Sequence, residues 1–428
     1  MYYCTIENIN HIIMASLSST AKSISELRTP CLIGYLNKIK NNAYQMLKQA
    51  DKFNVKLTPH VKTHKTIQGA MIQTGGRRNG IVCSTLAEVN FFCNGGFDDI
   101  LYAVPITPDK FMDAMKLNNK MDKFSILVDS MEMISALINF SHPNHIKPWH
   151  VWVMVDCGYH RDGIDPKDPD SLELIAALYN AGKDKMIFGG IYTHVSKFLT
   201  LKKISPLTHF ITLHPKGGHS YGGKSKNEIK AIAEIERDAV VNFANKIRSH
   251  FGIGIGMSDV MITVGSTPTC SIMPSHLNEI DAIHPGNFIY YDCMQADLGS
   301  CTLDDIAVRV LTRVIGKYPK QNMLLIDCGW TGCSAQGESN HYGRIAGTEK
   351  HKLCIKVLKQ EAGEVETSDG SPINFDNFPI GMILEILPYH SCASTHQHRK
   401  IHIIETDDND RKIEEQAVMD SWEICDGW

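Results

Sequence analysis

The sequence predicts an α/β fold, a (β/α)₈ TIM-type barrel followed by a mainly-β domain, on three observations. The chain has 428 residues, more than one ordinary compact core accommodates, so two domains or a barrel with an appendage is expected. Between about residues 57 and 292, short apolar runs rich in Val and Ile alternate with longer amphipathic or polar stretches. After about residue 299, strand-like runs are separated by turns, with few amphipathic stretches of helix length.

Eight candidate strands lie in the alternating region. Alternation of strands with helix-length stretches indicates parallel strands joined by crossover helices, and eight such units fit a closed barrel. A doubly wound open sheet is the structural alternative, which is disfavoured because no GxGxxG motif follows an early strand. The candidate strands span residues 57–62, 80–85, 99–104, 124–129, 150–158, 187–194, 259–267 and 279–292.

We expect the barrel over residues 37–292 and the β domain over residues 293–428. The β domain is indicated by runs such as IAVRVLTRVIGKY, NMLLIDCG and KIHIIET, which are separated by turns. The segment near residues 29–36, TPCLIGYL, is apolar and precedes the first barrel helix, so it is a candidate for pairing into the β domain. The domain boundary is therefore not expected to be a single cut.

Residues 195–216 interrupt the pattern after the sixth candidate strand. The segment VSKFLTLKKISPLTHFITLHPK is basic and has no clear period, where a loop of a few residues is expected. Its first two residues, Val-Ser, are what the splice-donor consensus GTAAGT encodes, which favours a retained intron in the predicted gene. Surface loops also tolerate genuine insertions, so both interpretations stay open.

Composition and charge favour a small-molecule substrate. Charged residues make up 21% of the chain, hydrophobic residues 43%, and the formal net charge is -4, so neither nucleic acid nor an anionic membrane is an expected partner. Thirteen cysteines occur singly, without a CxxC pair, which favours reduced thiols and a cytoplasmic location. We expect neither a membrane span nor export, because long apolar runs and a secretory leader pattern are missing from the sequence.

Lys62 lies in the motif PHVKTHKT (59–66), at the predicted carboxyl end of the first barrel strand. In such barrels, that end of the strands forms the active-site mouth. A lysine among Pro, Val and His can be desolvated enough to act as a nucleophile and to form a Schiff base with an aldehyde cofactor. The alternative is that Lys62, like Lys65, is an exposed basic residue.

Two corners rich in Gly, Ser and Thr follow the last two candidate strands, VGSTPT (264–269) and HPGNF (284–288). Barrels commonly bind phosphate in these loops, where small residues expose backbone N–H groups to an anion. Ser266, Thr267 or Asn287 can add side-chain donors. Each corner alone is also consistent with a plain turn, but together with the lysine they indicate an aldehyde cofactor with a phosphate tail.

Arg161 follows the fifth candidate strand in VDCGYHRDG (155–163) and is expected at the same mouth. Its guanidinium is a candidate hydrogen-bond donor to the phenolate oxygen of such a cofactor. The alternative is a surface ion pair with Asp156 or Asp162.

His390 and Cys392 form an HxC pair in LPYHSCAST (387–395). If this segment is an extended strand, the two side chains share one face and can ligate one metal ion. Two protein ligands leave positions open for water and substrate, as a catalytic Lewis acid needs, and nitrogen with thiolate favours Zn²⁺. With twenty His and thirteen Cys in the chain, a chance pair is the alternative.

PHVKTHKT, VDCGYHRDG, GSTPT, HPGN and HSCAST, in this order, resemble motifs of the eukaryotic D-serine dehydratases, which have the alanine-racemase-like fold type III of pyridoxal-phosphate enzymes. The similarity extends from about Leu27 through the β domain, and PHVKTHK is its most specific motif. The resemblance implies dehydration and deamination of D-serine to pyruvate and ammonia, with a related D-3-hydroxy amino acid as the other possible substrate. It also implies a homodimer, since relatives of this fold are usually dimers.

For individual residues, the resemblance implies that Lys62 forms the Schiff base with pyridoxal 5'-phosphate. Thr267, Gly286 and Asn287 are implied to hold the phosphate side of the cofactor. The family usually has Arg before the Pro of the lysine motif, whereas this chain has Thr58, so one polar contact near the mouth differs.

The resemblance further implies that His390 and Cys392 bind Zn²⁺. The family has two cofactor-contacting tyrosines seven positions apart at the exit of the sixth strand. Tyr192 and Tyr221 reach that spacing only if residues 195–216 are removed, which favours the retained intron.

Other activities on this scaffold remain alternatives. D-threonine aldolase and 3-hydroxyaspartate dehydratase share the lysine and the metal, so the sequence barely separates them from a D-serine dehydratase. A non-catalytic pyridoxal-phosphate-binding protein is an alternative of another class. Such proteins resemble the barrel alone, so the long β domain with its HxC pair argues against it.

Overall fold

The computed structural model describes residues 22–158, 160–194, 225–251, 260–337, 341–348, 352–405 and 413–428. The interrupting segment 195–216 and Tyr221 lie outside the described residues, so both interpretations of that segment stay open. Among the described residues, no helix has the combination of length and apolarity that crossing a membrane requires.

Strands and helices alternate in the first part of the chain, and strands dominate the last part. In chain order, the strands are β1 (Lys22–Ser23), β2 (Cys31–Tyr35), β3 (Lys56–Leu57), β4 (Asn79–Cys83), β5 (Asp99–Pro105), β6 (Lys123–Val128), β7 (Trp149–Val155), β8 (Met186–Thr193), β9 (Met261–Val264), β10 (Ala282–Ile283), β11 (Val308–Tyr318), β12 (Met323–Ile326), β13 (Gly343–Ile345), β14 (Leu353–Leu358), β15 (Gly363–Thr367), β16 (Ile383–Pro388), β17 (Lys400–Ile404) and β18 (Ala417–Glu423). The α-helices are α1 (Leu36–Lys52), α2 (Ile67–Gln73), α3 (Leu86–Asn94), α4 (Phe111–Lys120), α5 (Met131–Asn139), α6 (Asp170–Asn180), α7 (Lys226–Phe251), α8 (Thr267–Ser271), α9 (Cys293–Leu298), α10 (Trp330–Cys333) and α11 (Ser391–Thr395).

Strands β3 to β10 form an eight-stranded parallel sheet in the order β3-β10-β9-β8-β7-β6-β5-β4. His60, just after β3, makes a parallel bridge to Val82 of β4, which brings the two ends of the sheet together. The observed strands fall at the eight candidate positions, so the predicted barrel is confirmed. β3 is shorter than its candidate strand, and Val61–Thr63 form a 3-10 turn after it.

Side chains fill the inside of the barrel. Alternate residues of a strand point to opposite faces, so each barrel strand contributes one set of side chains to the helices outside and another to the interior. Because the interior is packed, space for a ligand remains only at an end of the barrel. The inward-facing apolar side chains are those of Val82, Leu101, Leu127, Trp152, Met154 and Tyr192.

The other strands form a ten-stranded sheet in the order β1-β18-β17-β2-β11-β12-β15-β14-β13-β16, and β11 also pairs with β16. That additional pairing joins the first and last of six consecutive strands of the sheet, β11-β12-β15-β14-β13-β16, so these six strands form a closed ring. β2 lies between β17 and β11, parallel to the first and antiparallel to the second. The strand before the first barrel helix therefore belongs to the C-terminal β sheet. α1 begins at the residue that follows this strand.

Candidate active site

A cavity of about 550 Å³ lies at the mouth of the barrel, where residues of the β domain also contribute to its wall. Its volume is within the usual range of small-molecule sites, about 300–1,000 Å³. The carboxyl ends of parallel barrel strands converge on this end, so residues from distant parts of the chain meet there. The residues that sequence reasoning singled out and that line this cavity are Lys62, Arg161, Ser266, Thr267, Gly286, Asn287, His390 and Cys392.

Lys62 is half-buried in the 3-10 turn Val61–Thr63 and lines the cavity. Burial is the main cause that lowers the pKa of its amine; Cys392 opposes the shift and Arg161 adds to it. A lowered pKa leaves more of the amine neutral and nucleophilic near pH 7. Lys65, three residues on, is not exposed either: its Nζ lies 3.0 Å from Glu88 Oε1, and both side chains are buried.

Thr267 and Gly286 form a corner of the cavity suited to an anion. Thr267 is the first residue of α8, and its buried Oγ1 has no hydrogen-bond partner among the described residues. A Cβ at Gly286 would lie 2.8 Å from the carbonyl oxygen of His60, so only glycine lets this corner approach the lysine motif so closely. An unused hydroxyl and a tight glycine corner fit the phosphate tail of pyridoxal phosphate.

Asn287 lines the same corner, but its side-chain amide donates hydrogen bonds to other side chains of the protein. Its Nδ2 donates to Asp292 Oδ2 at 2.6 Å and to Ser391 Oγ at 2.8 Å. The sequence suggested Asn287 as a side-chain donor to an anion, whereas the structure uses that donor on the buried carboxylate of Asp292. A buried charge needs such donors, which explains the difference.

His390 and Cys392 are brought to the cavity by a helical turn, so the expectation of an extended strand is wrong. β16 ends at Pro388, His390 occupies the N-cap position of α11 without a side-chain capping hydrogen bond, and Cys392 lies in that helix. Cys392 Sγ is 3.1 Å from Thr63 Oγ1, and His390 Nδ1 is 3.5 Å from Asp292 Oδ2. These contacts hold the pair beside the lysine turn.

The electrostatics of the pair suit a metal ligand set. Burial alone would raise the pKa of the Cys392 thiol, but the charge of His390 and hydrogen bonds with His390 and Thr63 lower it below its ordinary value. Although burial opposes the imidazolium, Cys392 and Asp292 raise the pKa of His390 to about 9. The metal-free pair is therefore a thiolate beside an imidazolium, and once the imidazolium loses its proton, the thiolate and the imidazole are ligands that fit Zn²⁺. Within the described part of the chain, no group of three His, Cys, Asp or Glu side chains could hold a metal, so this site would offer two protein ligands.

Of Arg161 and the two candidate tyrosines, Arg161 lines the cavity and Tyr192 does not. Arg161 lines it with a side chain that is about half exposed, and also forms an ion pair with Asp162 at 3.0 Å, while its contact with a cofactor stays a prediction. Tyr192 does not line the cavity; its buried ring stacks on His284, with centroids 4.1 Å apart, beneath the cavity. Tyr221 lies outside the described residues.

Sequence reasoning missed three histidines on the barrel side of the cavity, His60, His194 and His284. Burial lowers the pKa of each imidazole, that of His284 to about 3, so all three are neutral near pH 7. Each follows the end of a barrel strand, and that position was the available signal. Asp292 was missed as well, because nothing in its neighbourhood distinguishes it from an ordinary helix cap.

Comparison with known proteins identifies the family. Residues 35–292 match the family model "Alanine racemase, N-terminal domain", and residues 307–404 match "Putative serine dehydratase domain". D-serine dehydratase of Dictyostelium discoideum is 32% identical over 403 residues, which are 90% of this chain and 95% of that protein. The chain belongs to the D-serine dehydratase family. Its members are lyases with the alanine-racemase-like, fold type III architecture of pyridoxal-phosphate enzymes, so the resemblance seen in the motifs is confirmed.

A bacterial dehydratase shares the same architecture. D-threo-3-hydroxyaspartate dehydratase of Delftia sp. (strain HT23) is 28% identical over 414 residues, 94% of this chain and 98% of that protein. A histidine-to-alanine mutant of a D-threo-3-hydroxyaspartate dehydratase superposes with a TM-score of 0.81 at 26% identity, covering 98% of this chain and 99% of that one. A cysteine-to-alanine mutant in the metal-free form gives 0.80 at 26% identity, covering 95% of this chain and 100% of that one.

Proposed function

We propose that this family member is a D-serine ammonia-lyase that depends on pyridoxal 5'-phosphate and Zn²⁺ and forms pyruvate and ammonia. The observation that carries the proposal is that the amine of Lys62 and the His390–Cys392 pair line one cavity. Thr63, next to Lys62, contacts Cys392 Sγ at 3.1 Å, which fixes the spacing of the two groups. A β-hydroxy amino acid is small enough to engage both.

The residues present fit the cofactor. Lys62 would hold its aldehyde carbon, and Thr267 with the backbone at Gly286 would hold its phosphate, since Thr267 Oγ1 is unused and Gly286 leaves the corner open. Arg161 would donate to the ring oxygen, and Tyr192 would act through His284, on which it stacks. When bound, pyridoxal phosphate supplies an electron sink for negative charge at Cα, and Zn²⁺ supplies a Lewis acid for a β-hydroxyl.

Lys62 is the candidate base for the Cα proton of the substrate. Burial lowers the pKa of its amine, so the neutral form that accepts a proton is more populated near pH 7 than for an ordinary lysine. Burial also lowers the pKa values of His60 and His284, so neither imidazole is a competing base near pH 7.

His390 and Cys392 would hold Zn²⁺ on the opposite wall. Their thiolate and imidazole are the ligand types that zinc prefers, and two protein ligands leave positions open for substrate. A metal in this site is consistent with the related D-threo-3-hydroxyaspartate dehydratase, one mutant of which is described as being in the metal-free form.

A 3-hydroxyaspartate dehydratase is the second candidate, because the Delftia enzyme is similar over 94% of this chain. Its substrate carries a second carboxylate, which needs an additional cation in the cavity. Arg161 is already paired with Asp162 at 3.0 Å, which neutralises much of its charge. This pairing favours D-serine, whose β-carbon carries no charge.

A product assay with the full chain separates the candidates. We expect pyruvate from D-serine, little from L-serine, and loss of turnover with a zinc chelator, recovered when Zn²⁺ is added back. Faster keto-acid formation from D-threo-3-hydroxyaspartate would favour the second candidate. Glycine and an aldehyde from D-threonine, without pyruvate from D-serine, would contradict a dehydratase of either kind.

We infer a homodimer located in the cytoplasm, with a barrel over residues 37–292 and a β domain over residues 293–428 that is completed by the segment near residues 29–36. Sedimentation equilibrium of the full chain tests the dimer: a monomer at micromolar concentration would contradict it.

A further inference from the structure

Asp292 is a fully buried carboxylate where the barrel meets the β domain, and sequence reasoning did not assign it a role. Its Oδ1 accepts a hydrogen bond from the backbone N–H of Gln295 at 2.9 Å, which caps α9. Its Oδ2 accepts from the backbone N–H of Ser391 at 2.9 Å and from Ser391 Oγ at 3.2 Å. One carboxylate therefore anchors both a barrel-side helix and the start of α11.

The same Oδ2 lies 3.5 Å from Nδ1 of His390, the distance of an ion-pair contact and longer than an ordinary hydrogen bond. An imidazole whose Nδ1 faces a buried carboxylate favours a proton on that nitrogen, which leaves the Nε2 lone pair for a metal. We propose that Asp292 is a positioning residue that fixes the ring of His390 for metal binding through Nε2. This inference rests on the proposed function, in which His390 is a metal ligand.

Asp292 also reaches the cofactor corner of the cavity. Asn287 Nδ2 donates to Asp292 Oδ2 at 2.6 Å, so the carboxylate fixes the orientation of this amide as well. Asn287 Nδ2 further donates to Ser391 Oγ at 2.8 Å, which closes a network of three buried side chains. Asp292 thus acts directly on the metal ligand and only indirectly on the cofactor, so its loss affects metal affinity first.

The test compares Zn²⁺ affinity and cofactor loading in Asp292→Asn, His390→Ala and Asp327→Asn. Asn keeps the size of the side chain and can still cap α9, but it removes the charge and one acceptor. Asp327 is the matched control: it accepts from Thr312 Oγ1 and from the backbone N–H of Arg313, both at 2.7 Å, and does not line the cavity. Zn²⁺ dissociation constants are measured by competition with a chromophoric chelator, and pyridoxal phosphate by its visible absorbance.

We expect Asp292→Asn to weaken Zn²⁺ binding by about 10- to 100-fold, as is usual for partners of metal-binding histidines, with the cofactor absorbance retained. Asp327→Asn should stay within about twofold of the unmodified protein. Unchanged Zn²⁺ affinity in Asp292→Asn, with loss of Zn²⁺ in His390→Ala, would overturn the role of Asp292 and leave the proposed function intact. Unchanged affinity in His390→Ala would overturn both.

If Asp292→Asn does not fold, the unmodified holoenzyme answers the question. Long-range proton–nitrogen spectra of protein labelled with ¹⁵N-histidine report which ring nitrogen is coordinated and which carries a proton; His390→Ala assigns the signal. Coordination through Nε2 with a proton on Nδ1 supports the proposal. Coordination through Nδ1 overturns it, because that atom would then face the metal and not Asp292.

Discussion

The two walls of the cavity are built in different ways. On the barrel wall, Lys62, Thr267 and Gly286 each follow the end of a parallel strand, so the barrel topology alone brings them to one rim. On the β-domain wall, His390 and Cys392 lie in a short helical turn that depends on contacts with other segments of the chain. The barrel topology therefore positions the barrel wall, which we call the cofactor wall, whereas individual side-chain contacts position the β-domain wall, which we call the metal wall. A substitution in one wall should therefore impair the binding of that wall's ligand and leave the binding of the other ligand intact.

The largest effect is expected on the barrel wall, from Lys62→Ala. This change removes the proposed cofactor anchor and base together, and a general base alone contributes about 10²- to 10⁴-fold. We expect pyruvate formation from D-serine to fall by more than about 10³-fold, and the visible absorbance of bound pyridoxal phosphate to disappear. Lys56→Ala, at an exposed lysine of β3, is the control and should retain both. Retained absorbance in Lys62→Ala would place the anchor elsewhere.

Cys392→Ala tests whether zinc binding can be lost while pyridoxal-phosphate binding is retained. Loss of a Lewis acid that assists departure of hydroxide removes several kcal/mol of transition-state stabilisation, so turnover of D-serine should fall by about 10²-fold or more. Bound zinc, measured by atomic emission, should fall with it, while the cofactor absorbance stays. Cys93→Ala, at another half-buried thiol outside the cavity, is the matched control. Normal turnover in Cys392→Ala would remove zinc from the proposed reaction.

The same difference explains how much of the molecule could be predicted from the sequence. Runs rich in Val and Ile that alternate with helix-length stretches predicted all eight barrel strands. Since strand ends converge at one rim, they also predicted that Lys62, Thr267 and Gly286 line one cavity. Local pattern was sufficient there, because a parallel barrel converts positions along the chain into positions in space.

Prediction failed where structure depends on contacts between distant residues. The segment at His390 begins a helix, and its first N–H donates to Asp292, 99 residues earlier in the chain. Lys65 is buried and forms an ion pair with Glu88, which lies 23 residues later in the chain on α3. A local sequence window does not contain these partners, so neither the helical turn nor the buried ion pair could be deduced from it.

The pH dependence of cofactor binding tests whether the pKa of Lys62 on the barrel wall is lowered. Burial lowers the pKa of Lys62, so the neutral, nucleophilic amine appears at lower pH than for an ordinary lysine, whose pKa is about 10.4. The rate at which the apoprotein binds pyridoxal phosphate should therefore level off at a pH clearly below 10.4, as stopped-flow absorbance measures. Arg161→Met removes a nearby positive charge and should move the midpoint to higher pH; a shift to lower pH would contradict this electrostatic account.

The smallest expected effect is at the point where the two walls touch, the contact of Thr63 Oγ1 with Cys392 Sγ. Thr63→Val keeps the shape of the side chain and removes the hydroxyl, and one hydrogen bond contributes about 0.5–1.5 kcal/mol net. That range corresponds to Zn²⁺ binding weakened by about 2- to 12-fold, measured by chelator competition. Thr66→Val is the control: its hydroxyl caps α2, so that change should lower the unfolding temperature without changing Zn²⁺ affinity. If Thr63→Val lowers cofactor affinity as much as Zn²⁺ affinity, the two walls are coupled through this contact, and the claim that they bind their ligands independently is wrong.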